Sequence, residues 1–148
     1  MATRSQSTGT PSGRDQKAPR CAAIVGPYLS GKTALLESLL FVTGVTSRKG
    51  HAKEGNTVSD SSVEARTRKM SVEVTAATAE YLGDRWCFLD CPGSVELGQE
   101  ARSALLAADV AIVVVEPLID KALMLAPILK FLDDHQIPHM LFINKMDI

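Results

Sequence analysis

The sequence predicts an α/β domain with a mainly parallel sheet covered by helices on both faces. Three observations point there. Short aliphatic runs alternate with helical patterns along most of the chain. Residues 110–115 (Val-Ala-Ile-Val-Val-Val) form an unbroken aliphatic run, suited to a strand buried on both faces. Gly83-Asp84 is a hairpin signal that adds one antiparallel strand. The 148 residues suit a single domain, and 45% hydrophobic with 22% charged residues is an ordinary globular profile.

The elements follow in order. Residues 1–20 are rich in Ser, Thr, Gly, Pro and charge, and read as a disordered tail. Arg4, Arg14, Lys17 and Arg20 against Asp15 make that tail basic, while the remainder is mildly acidic. Residues 21–25 form a short apolar strand, and residues 26–33 a loop. A helix follows over residues 33–42, with Leu35, Leu36, Leu39 and Leu40 on one side and Gly44 as its stop. Residues 46–69 read as a long polar loop, a length often tied to function. Residues 70–81, with Val72, Val74 and Ala76 on one face, pair through the hairpin with residues 85–89. Cys91-Pro92-Gly93 breaks that strand, and residues 95–108 have helical spacing. Residues 118–135 are mostly helical, with Pro127 expected in a first turn. Residues 138–143 form the last strand.

Composition excludes several classes. A net charge of -1 argues against a general or sequence-specific nucleic-acid binder. No apolar run approaches the ~18 residues of a membrane span, and the first 20 residues lack a signal-peptide core. Cys21, Cys87 and Cys91 are odd in number and lack CxxC spacing, so free thiols in a reducing cytosol are expected. His51, His135 and His139 are not near residues 90–93 in sequence, and His135 and His139 flank a helix–strand loop and read as surface residues.

Three motifs carry chemistry. Gly26-Pro27-Tyr28-Leu29-Ser30-Gly31-Lys32-Thr33 fits GxxxxGK[ST] between a strand and a helix. The glycines let backbone N–H groups turn toward phosphate oxygens, at a helix N-terminus that favours anions. Lys32 can reach the β- and γ-phosphates, and the Thr33 hydroxyl can coordinate Mg²⁺. This loop alone does not choose between ATP and GTP. Asn144-Lys145-Met146-Asp147 comes about 110 residues later at a strand end. The Asp147 carboxylate can accept hydrogen bonds from guanine N1–H and the 2-amino group, a donor pair adenine lacks. Asn144 can bond the base and brace the phosphate loop, and the Lys145 stem can lie over the base. Asp90-Cys91-Pro92-Gly93 ends another strand, where Asp90 can hold Mg²⁺ through water and the Gly93 N–H can meet a γ-phosphate.

In this order the motifs resemble the GTP-binding domain of translational GTPases, most closely the elongation factor G group. Residues 138–147 resemble that group's final strand and guanine motif, and residues 64–72 its switch I. The resemblance implies the P-loop GTP-binding fold over residues 21–148, with Mg²⁺ and GTP or GDP as ligands. It further implies a ribosome-directed, cytoplasmic factor. By it, Ser71 takes the place of a metal-binding switch I Thr, and Ser94 that of a His that positions the attacking water. Ser94 and Lys32 are thus the catalytic candidates. Leu29 stands where the group has an Asp associated with a monovalent cation. The group's domain continues past this motif into a helix and strand with a further guanine-contacting loop, so the domain is expected to be C-terminally truncated. Slow GTP hydrolysis is the expectation, because Ser is shorter than His and cannot carry its charge. A GTP/GDP-sensing or ribosome-docking module with vestigial hydrolysis is the alternative. A P-loop kinase would need a lid and an acceptor site, and its loop would not predict Asn-Lys-x-Asp.

Overall fold

The computed structural model describes residues 18–48, 50, 73–93 and 98–147. The elements are β1 (Arg20–Val25), α1 (Lys32–Val42), β2 (Thr75–Tyr81) and β3 (Asp84–Asp90). They continue with α2 (Gln99–Ala107), β4 (Val110–Val115), α3 (Ile119–Leu123), α4 (Ala126–Asp134) and β5 (His139–Ile143). The strands form one sheet in the order β2-β3-β1-β4-β5. β1 runs parallel to β3 and β4, β4 runs parallel to β5, and only β2 is antiparallel. The expected α/β class with a single antiparallel strand is therefore correct. The C-terminal ends of the parallel strands share one rim of the sheet, where such folds bind ligands.

The period-2 alternation of β1 explains the layering. Ala22 and Ile24 face a cluster containing Leu36 and Leu40 of α1 and Phe88 of β3. Ala23 and Val25 face the other side, against Ala101, Ala104 and Leu105 of α2 and Ile128 and Leu132 of α4. Helices thus cover both faces, and the continuous apolar runs of β1 and β4 follow from burial on both sides. β5 is different. It is the last strand of the sheet, and every residue from His139 to Ile143 is exposed.

Several boundaries differ from the expectations. β1 starts at Arg20, whose guanidinium bridges Asp84 at 3.2 Å and lies over the Trp86 ring. The hairpin turn is Leu82-Gly83, because Tyr81 pairs with Asp84 and both turn residues have positive φ (52° and 82°). A two-residue turn between twisted strands demands that left-handed geometry, which Leu82 adopts at the surface. β2 begins at Thr75, and residues 70–72 lie outside the described residues. Its buried side chains are Ala77 and Ala79, of opposite parity to the face of Val72, Val74 and Ala76. Register decides this: Ala77 pairs with Phe88 and Ala79 with Trp86, whose rings stack on the α1 side. α2 begins at Gln99 after Gly98, and residues 94–97 lie outside the described residues. Residues 118–135 split into α3 and α4, with Pro127 in the first turn of α4, where a missing N–H costs nothing. The expected basic tail up to residue 17 and, of the expected loop over residues 46–69, residue 49 and residues 51–69 with His51 also fall outside the described residues.

The three cysteines are free, and Cys91 is buried. Burial pushes the Cys21 thiol up to about 11 and the Cys91 thiol up to about 12, so both stay protonated at neutral pH. His135 and His139 are exposed, as expected. Among the described residues, no helix is long and apolar enough to cross a membrane.

Adjacent leucines of α2 give a direct test of this layering. Leu105 is 0% exposed and Leu106 is 59% exposed. Leu105→Ala is expected to cost about 2–5 kcal/mol in urea unfolding, and Leu106→Ala within about 0.5 kcal/mol of zero. Equal losses at both positions would contradict the assigned face of α2.

Candidate functional site

β1 ends at Val25, and the chain turns sharply over residues 26–31 before α1 begins at Lys32. The turn needs glycine at two places. Gly26 has φ 150°, and a Cβ there would collide with the Val114 carbonyl oxygen of β4. Gly31 has φ 97°, and a Cβ there would collide with the Asn144 amide. The loop therefore lies directly on the ends of β4 and β5. The first N–H groups of α1 have no partner within the helix, and its N-cap residue, Gly31, has no side chain to cap them. They form a positive end able to receive an anion.

Lys32 is buried, and its ammonium donates to the Pro27 carbonyl at 3.0 Å. The lysine thus folds back across its own loop. Burial pulls its pKa below the ordinary lysine value, partly offset by the nearby Asp90 carboxylate. Phosphate oxygens beside this ammonium would favour its charged form. The Ser30 hydroxyl is buried beneath the loop and has no hydrogen-bond partner among the described residues. Tyr28 and Leu29 are exposed at the loop tip, and Leu29 takes the left-handed φ of 62°.

Asp90 sits at the end of β3, next to β1, and is fully buried. Thr33 Oγ1 donates to Asp90 Oδ2 at 2.7 Å. Two of the three expected metal-site residues, Thr33 and Asp90, are thus in direct contact. A hydroxyl beside a carboxylate is a hard-oxygen pair, the donor type Mg²⁺ selects. Mg²⁺ also keeps several waters, so two protein oxygens with substrate phosphates make a sufficient set. The residues present therefore fit that ion. Gly93 follows closely, and a Cβ there would lie 3.0 Å from Tyr28 Cα and 3.1 Å from the Pro27 carbonyl oxygen. Ser71 and Ser94 lie outside the described residues.

Asn144 begins the segment after β5. Its Nδ2 donates to the Ser30 carbonyl at 2.9 Å, which is the bracing read from the sequence. Its backbone N–H continues the sheet to the Val115 carbonyl at 2.8 Å. Lys145 has φ 56°, and its ammonium donates to the Leu29 carbonyl at 2.7 Å. Asp147 lies two residues further on and is exposed. The phosphate-loop, Asp90 and Asn144 motifs thus converge on one rim.

Sequence reasoning missed two buried acids, one of them at this rim. Glu116, just past β4, is buried and accepts from Lys145 Nζ at 2.6 Å. Its signal was a lone acid closing an all-aliphatic strand. Glu37 of α1 is buried and accepts from the Gly50 N–H at 3.0 Å. It tethers the residues after α1 to that helix, and only its placement among leucines hinted at burial.

The family described as Elongation factor Tu GTP binding domain matches residues 17–148. An Elongation factor G-like protein of Synechocystis sp. is 59% identical over 128 residues, covering 86% of this chain and 19% of that protein. The mitochondrial Ribosome-releasing factor 2 of Drosophila grimshawi is 33% identical over 118 residues, covering 80% of this chain and 16% of that protein. The chain thus spans about a fifth or less of the length of these relatives. A crystal structure of a Thermus thermophilus protein superposes with a TM-score of 0.77 at 33% identity, over 87% of this chain and 20% of that one. The G domain of the T. maritima FeoB iron transporter shares the fold, with a TM-score of 0.54 at 19% identity over 88% of this chain and 74% of that one. With its phosphate loop and Asn-Lys-Met-Asp segment meeting on one rim, the chain belongs to the elongation factor Tu GTP-binding domain family and is similar to elongation factor G-like proteins.

Proposed function

We propose that this chain is the GTP-binding switch domain of an elongation factor G-like translation factor in the cytoplasm, acting on the ribosome. The observation that carries the reading is the Asn144 amide on the Ser30 carbonyl, which couples a guanine-type motif to a phosphate loop. In this reading Gly26, Pro27, Tyr28, Leu29, Ser30, Gly31, Lys32 and Thr33 hold the phosphates. Asp147 reads the guanine edge, while Asn144 and Lys145 flank the base. Thr33, Ser71 and, through a water, Asp90 would hold Mg²⁺, and the Gly93 N–H would meet the γ-phosphate.

Hydrolysis transfers the γ-phosphoryl group to water, giving GDP and phosphate. Such a transfer needs positioning and charge stabilisation more than covalent help. Lys32 supplies charge between the β- and γ-phosphates, and the α1 N–H groups supply fixed dipoles. Bound Mg²⁺ would neutralise charge developing on the phosphate oxygens. The weak part is the water. Ser94 is too short and uncharged to act as the His it replaces, so turnover is slow without a partner. Ordering of the segments around Ser71 and Ser94 by a γ-phosphate would tell partners which nucleotide is present.

A second reading keeps binding and discards turnover: a GTP/GDP-sensing or ribosome-docking module. Leu29 favours it, since its side chain is exposed at the loop tip and offers no oxygen to an ion.

Competition for a fluorescent guanine nucleotide tests the base assignment. GTP and GDP are expected to displace it, and ATP about 10³-fold less well or worse. Asp147→Ala is expected to weaken GTP by roughly a hundredfold and to erase most of that preference. An ATP affinity equal to that for GTP would defeat the reading. Multiple-turnover phosphate release, with and without ribosomes, tests the chemistry. Ser94→His is expected to raise the rate by about 10²-fold. No turnover under either condition, in both proteins, would leave the sensing module as the correct function.

A further inference from the structure

Lys145 is held at two points. Its ammonium donates to the Leu29 carbonyl at 2.7 Å and to Glu116 Oε1 at 2.6 Å. The Glu116 side chain is only 8% exposed, whereas that of Lys145 is 35% exposed. Glu116 follows β4, the strand between the one carrying the phosphate loop and the one carrying Asn144. It therefore stands at the end of the strand between those that carry the two loops.

A lysine stem has four rotatable bonds and stays mobile unless its end is fixed. One carbonyl leaves much of that freedom. A second, ionised acceptor on a rigid strand end removes it, and charge-assisted bonds are the stronger kind. The carboxylate also gains, because a buried acid needs a partner. Resting on the functional reading above, we propose that Glu116 is a positioning residue for the purine base of GTP and GDP. It fixes the Lys145 stem as the flat surface against which the base lies. Because it acts at the base, its effect is the same for the diphosphate and the triphosphate.

The test is titration of purified protein with fluorescent GDP and GTP analogues, comparing unsubstituted protein, Glu116→Gln, Lys145→Met and the double variant. Glu116→Gln keeps the side-chain size and is expected to weaken both nucleotides about tenfold, mainly through faster release. The double variant is expected to bind no more weakly than Lys145→Met alone, which a purely structural role for Glu116 would not produce. Additive losses in the double variant, unaltered binding by Glu116→Gln, or a loss confined to GTP would each overturn the proposal. If Glu116→Gln lowers the melting temperature yet binds normally, Glu116 supports the fold alone and the proposal fails. An unsubstituted protein that binds neither nucleotide overturns the functional reading and this inference together.

Discussion

The hydrogen bond from Asn144 Nδ2 to the Ser30 carbonyl joins two loops 114 residues apart in sequence. The loops leave β1 and β5, which are separated in the sheet by β4. Two strand spacings set those strand ends about 10 Å apart. The phosphate loop must therefore reach across the end of β4. It does so by lying on β4 itself, with Gly26 against the Val114 carbonyl and Gly31 against the Asn144 amide. Side chains at either glycine would lift the loop and break the bond. Both glycines and the asparagine thus answer one geometric demand.

β1 is the middle strand of five, and the rim divides on either side of it. On the β3 side stand Asp90 and Gly93, with Thr33 bonded to Asp90 across the start of α1. On the β4–β5 side stand Glu116, Asn144 and Lys145. In the proposed reading, metal and γ-phosphate chemistry belongs to the first half and base recognition to the second. The phosphate loop spans both. In that reading a change in the first half could alter the nucleotide's terminal phosphate without releasing its base, which is what a switch requires.

Much of this was legible in the chain. The aliphatic runs of β1 and β4 follow from two-sided burial, and the strand–loop–helix context of Lys32 marks the phosphate loop. The Leu82-Gly83 turn sits one residue before the expected Gly83-Asp84, because leucine rarely accepts a left-handed φ and only strand register reveals that it does so here. The inward face of β2 is hidden for a related reason. Alanines carry little hydrophobic signal, yet Ala77 and Ala79 are the residues paired with Phe88 and Trp86. Glu116 was invisible as a site residue because its partner is 29 positions away and no motif spacing links them. Ion pairs of this kind depend on tertiary neighbours, which periodicity does not report.

The site contains two lysines whose environments assign them different work. Lys145 meets Glu116 at 2.6 Å, so its charge is already balanced and its stem is fixed. Such a lysine contributes a surface more than a field. Lys32 is buried with its ammonium on a backbone carbonyl, a neutral dipole that balances no charge. Burial is unfavourable for an ammonium, the Asp90 carboxylate offsets it only in part, and the depressed pKa expresses the remaining cost. In the proposed reading, phosphate oxygens beside Lys32 would favour its charged form. In the same reading, that arrangement would make the phosphate end of the site respond to anionic charge, while the Glu116–Lys145 pair would leave the base end less sensitive to it.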